Sequence, residues 1–253
     1  MRRKPGYGWK PDLPDHRDSL YGALRAIPAR LPRSVDLRPL CSPVENQGNL
    51  NSCSGNALAG ALEFLEKKDK VPFMRLSRLF IYYNGRAVEH RTHSDSGATI
   101  RDGIKTLVKQ GVCPENRWPY LQSKVLVKPV PACYKEALQH QITSYHRLET
   151  LNQMRACLAE GYPFVFGFSV YESFESRQVA KTGVAPMPKP DEHLVGGHAV
   201  VAVGYNDSEK RFLLRNSWGV KWGMKGYFTM AYEYLAKRNL ADDFWTIRRG
   251  EGI

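Results

Sequence analysis

Apolar positions along this chain follow two different periods. From Ser52 onward, Ala57, Leu58, Ala61, Leu62 and Leu65 recur at helical spacing, which predicts an amphipathic helix. Glu63 with Lys67 and Glu66 with Lys70 are spaced to pair on its outer side. Leu76–Arg86 and Thr99–Gln110 predict further helices, the second stopped by Gly111. After about residue 142 the texture changes to β-rich runs at Phe164–Val170, His198–Tyr205, Phe212–Arg215 and Gly226–Met230, divided by Gly- and Asn-marked turns. Before residue 34 neither period holds. Pro5, Pro11, Pro14, Pro28 and Pro32 disfavour helix there, so the stretch reads as an extended arm. Tyr7, Trp9, Leu13, Leu20, Tyr21, Leu24 and Ile27 give that arm apolar anchors a free tail would not need. The pattern predicts an α+β chain in three parts: an arm over 1–33, a mainly helical lobe over 34–141 and a β-rich lobe over 142–253. The functional cleft is expected between the two lobes.

Composition narrows the function classes. With 42% hydrophobic and 25% charged residues over 253 positions, the chain is long and apolar enough for a substantial core. No apolar run approaches the roughly 18 residues of a membrane helix. The net charge of +12 would suit a nucleic-acid binder, but the first 33 residues carry +5 of it and the rest is interspersed with acid. No nucleic-acid or membrane partner is expected. Five cysteines are an odd number, without a C-x-x-C pair for zinc. His90, His93 and Asp95 sit in a polar loop and read as solvated rather than metal-binding, so no cofactor is expected. No apolar stretch follows the charged start, which makes a cytoplasmic location with reduced thiols the default expectation, with export by another route left open.

Three residues raise chemical possibilities. Cys53 lies where the amphipathic helix begins, and a helix N-terminus favours thiolate and offers free N–H groups to an oxyanion. The alternative is a small buried hydrophobe. His198 follows Gly196-Gly197 and opens the apolar strand Ala199–Val203, where a core histidine would also fit. Asn216 stands as far after Asp207 as His198 stands before it, so a hairpin turning at Asn206–Glu209 brings both to its open end. A carboxamide there can fix the imidazole tautomer and leave the other ring nitrogen for a thiol.

These residues carry a resemblance. Gln47-Gly48 followed by Ser52-Cys53, then Gly197-His198-Ala199, then Asn216-Ser217-Trp218-Gly219 with Trp222-Gly223 and Gly226-Tyr227-Phe228, resemble the papain-like cysteine peptidases. Asp95-Ser96-Gly97-Ala98, Trp118-Pro119-Tyr120 and the short arm are similar to bacterial-type members. The resemblance implies a two-lobed papain-like fold and a thiol protease working through a thioester. It implies Cys53 as nucleophile, His198 as acid and base, Asn216 as its orienter and Gln47 as an oxyanion donor beside the Cys53 N–H. It also implies substrate contacts at Gly97, Ala98, Gly167, Gly197 and Trp218, Trp218 also shielding the His198–Asn216 contact. Ser54 and Leu50 depart from the family's tryptophan and cysteine at those positions.

With glycine at 167, 196 and 197 and no acid before His198, a hydrophobic or medium aromatic P2 residue is expected. The implied partner is a peptide or protein substrate, and the implied state a monomer. A same-fold deamidase or transglutaminase-like enzyme and a silent peptide-binding module remain as alternatives. Family members commonly carry a long helical pro-segment. Residues 1–33 are too short and too rich in proline for one. An extended, anchored peptide suits a peptide groove, so part of 1–30 is expected to lie in the cleft and restrain a zymogen-like form. The alternative is an arm that packs on the back of the body or is disordered.

Overall fold

The computed structural model describes residues 6–250; Arg2–Lys4 and Pro5 of the expected arm lie outside them. The helices are α1 (Tyr21–Leu24), α2 (Cys53–Lys68), α3 (Arg78–Val88), α4 (Ile100–Gln110), α5 (Pro131–Ala137), α6 (Leu151–Ala159), α7 (Arg177–Thr182) and α8 (Tyr232–Ala236). The strands are β1 (Ser34–Asp36), β2 (Ser144–Arg147), β3 (Phe164–Tyr171), β4 (Leu194–Asn206), β5 (Arg211–Arg215), β6 (Tyr227–Ala231) and β7 (Ala241–Arg248). Among the described residues they form one antiparallel sheet in the order β2-β7-β3-β4-β5-β6, with β1 added on β4. This mixture of helix and antiparallel sheet is the expected fold class.

The central helix corrects one expectation. α2 has no wet side: it is buried from Cys53 to Glu66. Glu63 accepts the Leu76 N–H at 2.9 Å and Glu66 meets His140 at 2.5 Å, so neither glutamate makes its expected lysine pair. Small residues make this burial possible. A Cβ on Gly60 would lie 2.2 Å from the Arg215 guanidinium, and that guanidinium reaches across to the Pro43 carbonyl at 2.7 Å. The side of α2 that the pattern marks as polar therefore packs against protein.

Strand β4 explains its own continuous apolar run. Ala199, Val201 and Val203 point into the cluster around α2, while Val200 and Ala202 point into a second cluster with Phe164, Phe166 and Phe168. A strand buried on both faces has no polar alternation to show. Each buried phenylalanine contributes about 1.5–3 kcal/mol of transfer free energy.

The β4–β5 hairpin closes through Asn206, whose Oδ1 accepts from the Ser208 N–H at 3.0 Å, and Lys210 adopts φ +52°. Its register is interrupted between Ala202 and Gly204, and the ladder ends at Val201 opposite Arg215. His198 and Asn216 thus lie just beyond the paired segment.

Candidate active site

Cys53 is the first residue of α2, and Ser52 gives the helix no side-chain cap. Instead the Ser52 hydroxyl lies 2.5 Å from the Tyr120 hydroxyl and accepts from Asn56 at 3.1 Å. The sulfur sits beside the backbone N–H groups of Ala199, Gly8, Ser54 and Cys53 itself. Those donors favour thiolate, but burial outweighs them and holds the thiol above its ordinary range. Five free thiols are present, Cys53 among them.

His198 and Asn216 meet as the hairpin argument requires. The Asn216 Oδ1 stands 2.8 Å from His198 Nε2, which assigns that nitrogen as the N–H donor and leaves Nδ1 unengaged. Trp218 covers the pair, its ring 4.9 Å from the imidazole and inclined by 30°. Burial depresses the imidazole to about 4, only partly opposed by the Asn216 hydrogen bond. In this closed arrangement a neutral thiol and a neutral imidazole are favoured.

Gln47 is held from three directions. Its Oε1 accepts from the Ser217 hydroxyl at 2.6 Å, its own N–H reaches the Ser217 carbonyl at 2.8 Å, and Tyr120 donates to its carbonyl at 2.9 Å. The side-chain Nε2 then points both to the Leu50 carbonyl at 2.8 Å and to the Gly6 carbonyl at 3.1 Å. Ser217 and Tyr120 lie within stretches that carry the resemblance, but nothing in their spacing marks a contact with Gln47. Their placement depends on tertiary packing.

Residues 6–10 run along this group. Gly8 accepts from Ala98 N–H at 2.9 Å, Lys10 donates to Ala98 O at 3.4 Å, and Trp9 donates to Gly197 O at 3.0 Å. The arm therefore pairs in parallel with residue 98. Tyr7 stands edge-on to His198 and Trp218, 6.1 and 6.0 Å away, and its hydroxyl donates to Glu175 at 2.7 Å. Trp9 lies on Gly167 and Gly197: a Cβ on Gly167 would fall 1.9 Å from the indole. Gly6 and Gly8 are equally constrained, since a Cβ on Gly8 would fall 1.7 Å from the Asn51 carbonyl oxygen. Cys53 and His198 are 0% exposed with the arm there.

Gly97, Ala98, Gly167, Gly197 and Trp218 thus all touch the arm. Among the anchors, Tyr21 is buried, whereas Leu13 and Leu24 are exposed; aromatic rings and aspartates hold the arm instead of leucines. Asp95 accepts from the Asn51 N–H at 3.1 Å and from the Tyr82 hydroxyl at 2.5 Å, bracing the turn before Cys53. Among the described residues no group of histidine, cysteine or acidic side chains is arranged to hold a metal ion.

Comparison with known proteins shows the family. Residues 31–245 match the model of the papain family cysteine proteases. An uncharacterized peptidase C1-like protein of Acanthamoeba polyphaga mimivirus is 48% identical over 80% of this chain and 68% of its own length. Cysteine proteinase 1 of Entamoeba histolytica is 27% identical over 84% of this chain and 67% of its own. The crystal structure of xylellain, a cysteine protease from Xylella fastidiosa, superimposes with a TM-score of 0.93 at 45% identity, covering 99% of this chain and 98% of that one. The chain belongs to the papain family of cysteine proteases.

Proposed function

We propose that Cys53, His198, Asn216 and Gln47 carry the peptide hydrolysis of this protease, and that residues 6–10 restrain it. The observation that supports the assignment is a helix-N-terminal thiol beside the Ala199 N–H, next in sequence to an imidazole fixed at 2.8 Å by Asn216, with a buried carboxamide donor on the same arm segment through the Gly6 carbonyl. Cys53 attacks the scissile carbonyl, His198 protonates the leaving amine, and water then hydrolyses the thioester. Gln47 Nε2 and the Cys53 N–H stabilise the oxyanion, the position that the Gly6 carbonyl takes at Gln47.

The arm also supplies a template for the substrate side chain. Trp9 rests on Gly167 and Gly197, and its Nε1 donates to Asp243 Oδ2 at 3.0 Å. An acid therefore stands in this pocket although none precedes His198 in sequence. The pocket suits a long, flat side chain that ends in an N–H group. This refines the expectation of a hydrophobic or medium aromatic P2 residue.

Titration with a thiol-reactive epoxide, followed by a peptide-library digest, tests the proposal. Stoichiometric loss of activity on labelling Cys53, with cleavage of internal peptide bonds, is the expected result. Activity that survives complete Cys53 labelling refutes the nucleophile assignment.

A further inference from the structure

The arm is fastened beyond Trp9 by a cluster of acids and arginines drawn from four segments. From the arm come Asp12 and Asp18, from α4 Arg101, from β2 Arg147, and from β7 Asp242 and Asp243. Asp243 Oδ2 accepts from both the Trp9 indole, at 3.0 Å, and the Asp12 backbone N–H, at 2.8 Å. Asp12 in turn accepts from the Trp245 indole at 2.8 Å and from the Arg101 N–H at 3.2 Å. Arg101 spends its guanidinium on Asp18, at 2.9 Å, and on the Leu13 carbonyl. Arg147 divides its guanidinium among Asp242 at 2.9 Å, Asp243 at 3.2 Å and Asp18 at 3.5 Å. Four carboxyls face two guanidiniums, and Asp12 makes no ion pair with either. The Asp243 side chain is 1% exposed.

We propose that the Asp12–Asp243 contact is a proton-operated latch, which holds the arm over Cys53 in acid and loosens as the pH rises. The proposal rests on the reading of the arm as a restraint and names what regulates it. A buried cluster with more carboxylates than cations favours a shared proton. That proton has a use only while the arm is docked, since a released Asp12 returns to water and to an ordinary carboxyl pKa.

The electrostatics agree. Burial, and next the Asp243 charge, push Asp12 up to about 7 against the lowering effect of the Trp245 and Arg101 contacts. Burial also raises Asp243. A group whose docked pKa lies above its free value stabilises docking fully below the free value and loses that contribution as pH rises through the docked one. Docking then weakens about tenfold per pH unit between about pH 4 and about pH 7.

Other titratable groups also touch the arm, among them His146, whose Nδ1 lies 2.9 Å from the Ser19 hydroxyl, and Asp12→Asn separates their titration from that of the latch. Asp15 and Arg17, both on the arm, pair with each other at 2.7 Å. Burial raises Tyr145, beside Asp18, and Tyr7, beside Glu175, so both remain phenols. Cys53 and His198 hold one proton between them as a neutral pair and as an ion pair alike. They oppose the latch only near about pH 4, where a His-paired thiol takes up a second proton.

The test is the rate of Cys53 alkylation by iodoacetamide in the full chain, divided by the rate in Gly8→Ala, where the arm cannot fit. Between about pH 5.5 and about pH 8 this ratio should rise tenfold or more. In Asp12→Asn, with arm docking verified by amide hydrogen exchange of residues 6–18, it should stay constant within about twofold. Asp243→Asn serves the same purpose if Asp12→Asn leaves the arm undocked. A flat or falling wild-type ratio overturns the latch, as does an equal rise in both Asn variants. If Gly8→Ala speeds alkylation at no pH, the restraint reading fails instead. Amide exchange of the wild-type arm then still decides the latch, through loss of protection with rising pH or its absence.

Discussion

The two sides of the contact at Cys53 are held by opposite means. On the body side, Gln47, Ser217, Tyr120, Asn216 and His198 are fixed by uncharged hydrogen bonds of 2.6–2.9 Å and by the Trp218 ring. On the arm side, two glycines allow backbone contact and a cluster of aspartates and arginines supplies the hold. Neutral buried hydrogen bonds keep a geometry over a wide pH range, whereas a cluster with excess carboxylates responds to each proton. If the arm is the restraint proposed above, permanent positioning and reversible cover are built from different chemistry.

Substitutions on the two sides should separate these roles. Cys53→Ala should lower turnover by roughly five to six orders of magnitude, as removal of a nucleophile does elsewhere, without moving the melting temperature downward. Gln47→Ala should reduce kcat by roughly 10²–10³ with a smaller change in KM, because an oxyanion donor acts mainly in the transition state. Steady-state kinetics on one fluorogenic peptide would show a KM effect alone if Gln47 merely bound substrate. Gly8→Ala works in the other direction. A Cβ 1.7 Å from Asn51 O opposes docking of the arm, and overpacking of about 1–3 kcal/mol translates into about 5–140-fold faster peptide turnover near pH 6. Tyr120→Phe should have the smallest effect, about 3–10-fold in kcat, from loss of one hydrogen bond that steadies Gln47. Paired with Gln47→Ala it should add almost nothing, and full additivity would place Tyr120 outside the oxyanion arrangement.

Much of the body side was legible in the sequence, for physical reasons. The stop at Gly111, with φ +70°, and the strands around His198 follow from local rules. The proximity of His198 and Asn216 follows from hairpin symmetry even though the register is interrupted at Gly204. The outer face of α2 is not legible, because pattern cannot distinguish a glutamate facing water from one facing His140 or the Leu76 N–H. Strand β7 went unseen: Asp242 and Asp243 interrupt its apolar run, and Asp243 adopts φ +57°. The same pair hid the acid in the Trp9 pocket. Contacts that join residue 12 to residue 243 have no local trace, so the polar half of the arm's hold emerges only from the fold.

The central claim is that the arm keeps Cys53 a shielded, neutral thiol and that its departure restores the thiolate–imidazolium pair. The pH dependence of Cys53 alkylation, followed by intact mass in wild type and in Gly8→Ala, addresses it directly. Wild type should react slowly over the acid range, because burial raises Cys53 and holds His198 at about 4. Gly8→Ala should react rapidly down to about pH 5, far below the ordinary thiol value of about 8.5. Superimposable profiles for the two proteins, or a Gly8→Ala profile that rises only near about pH 8.5, would contradict it.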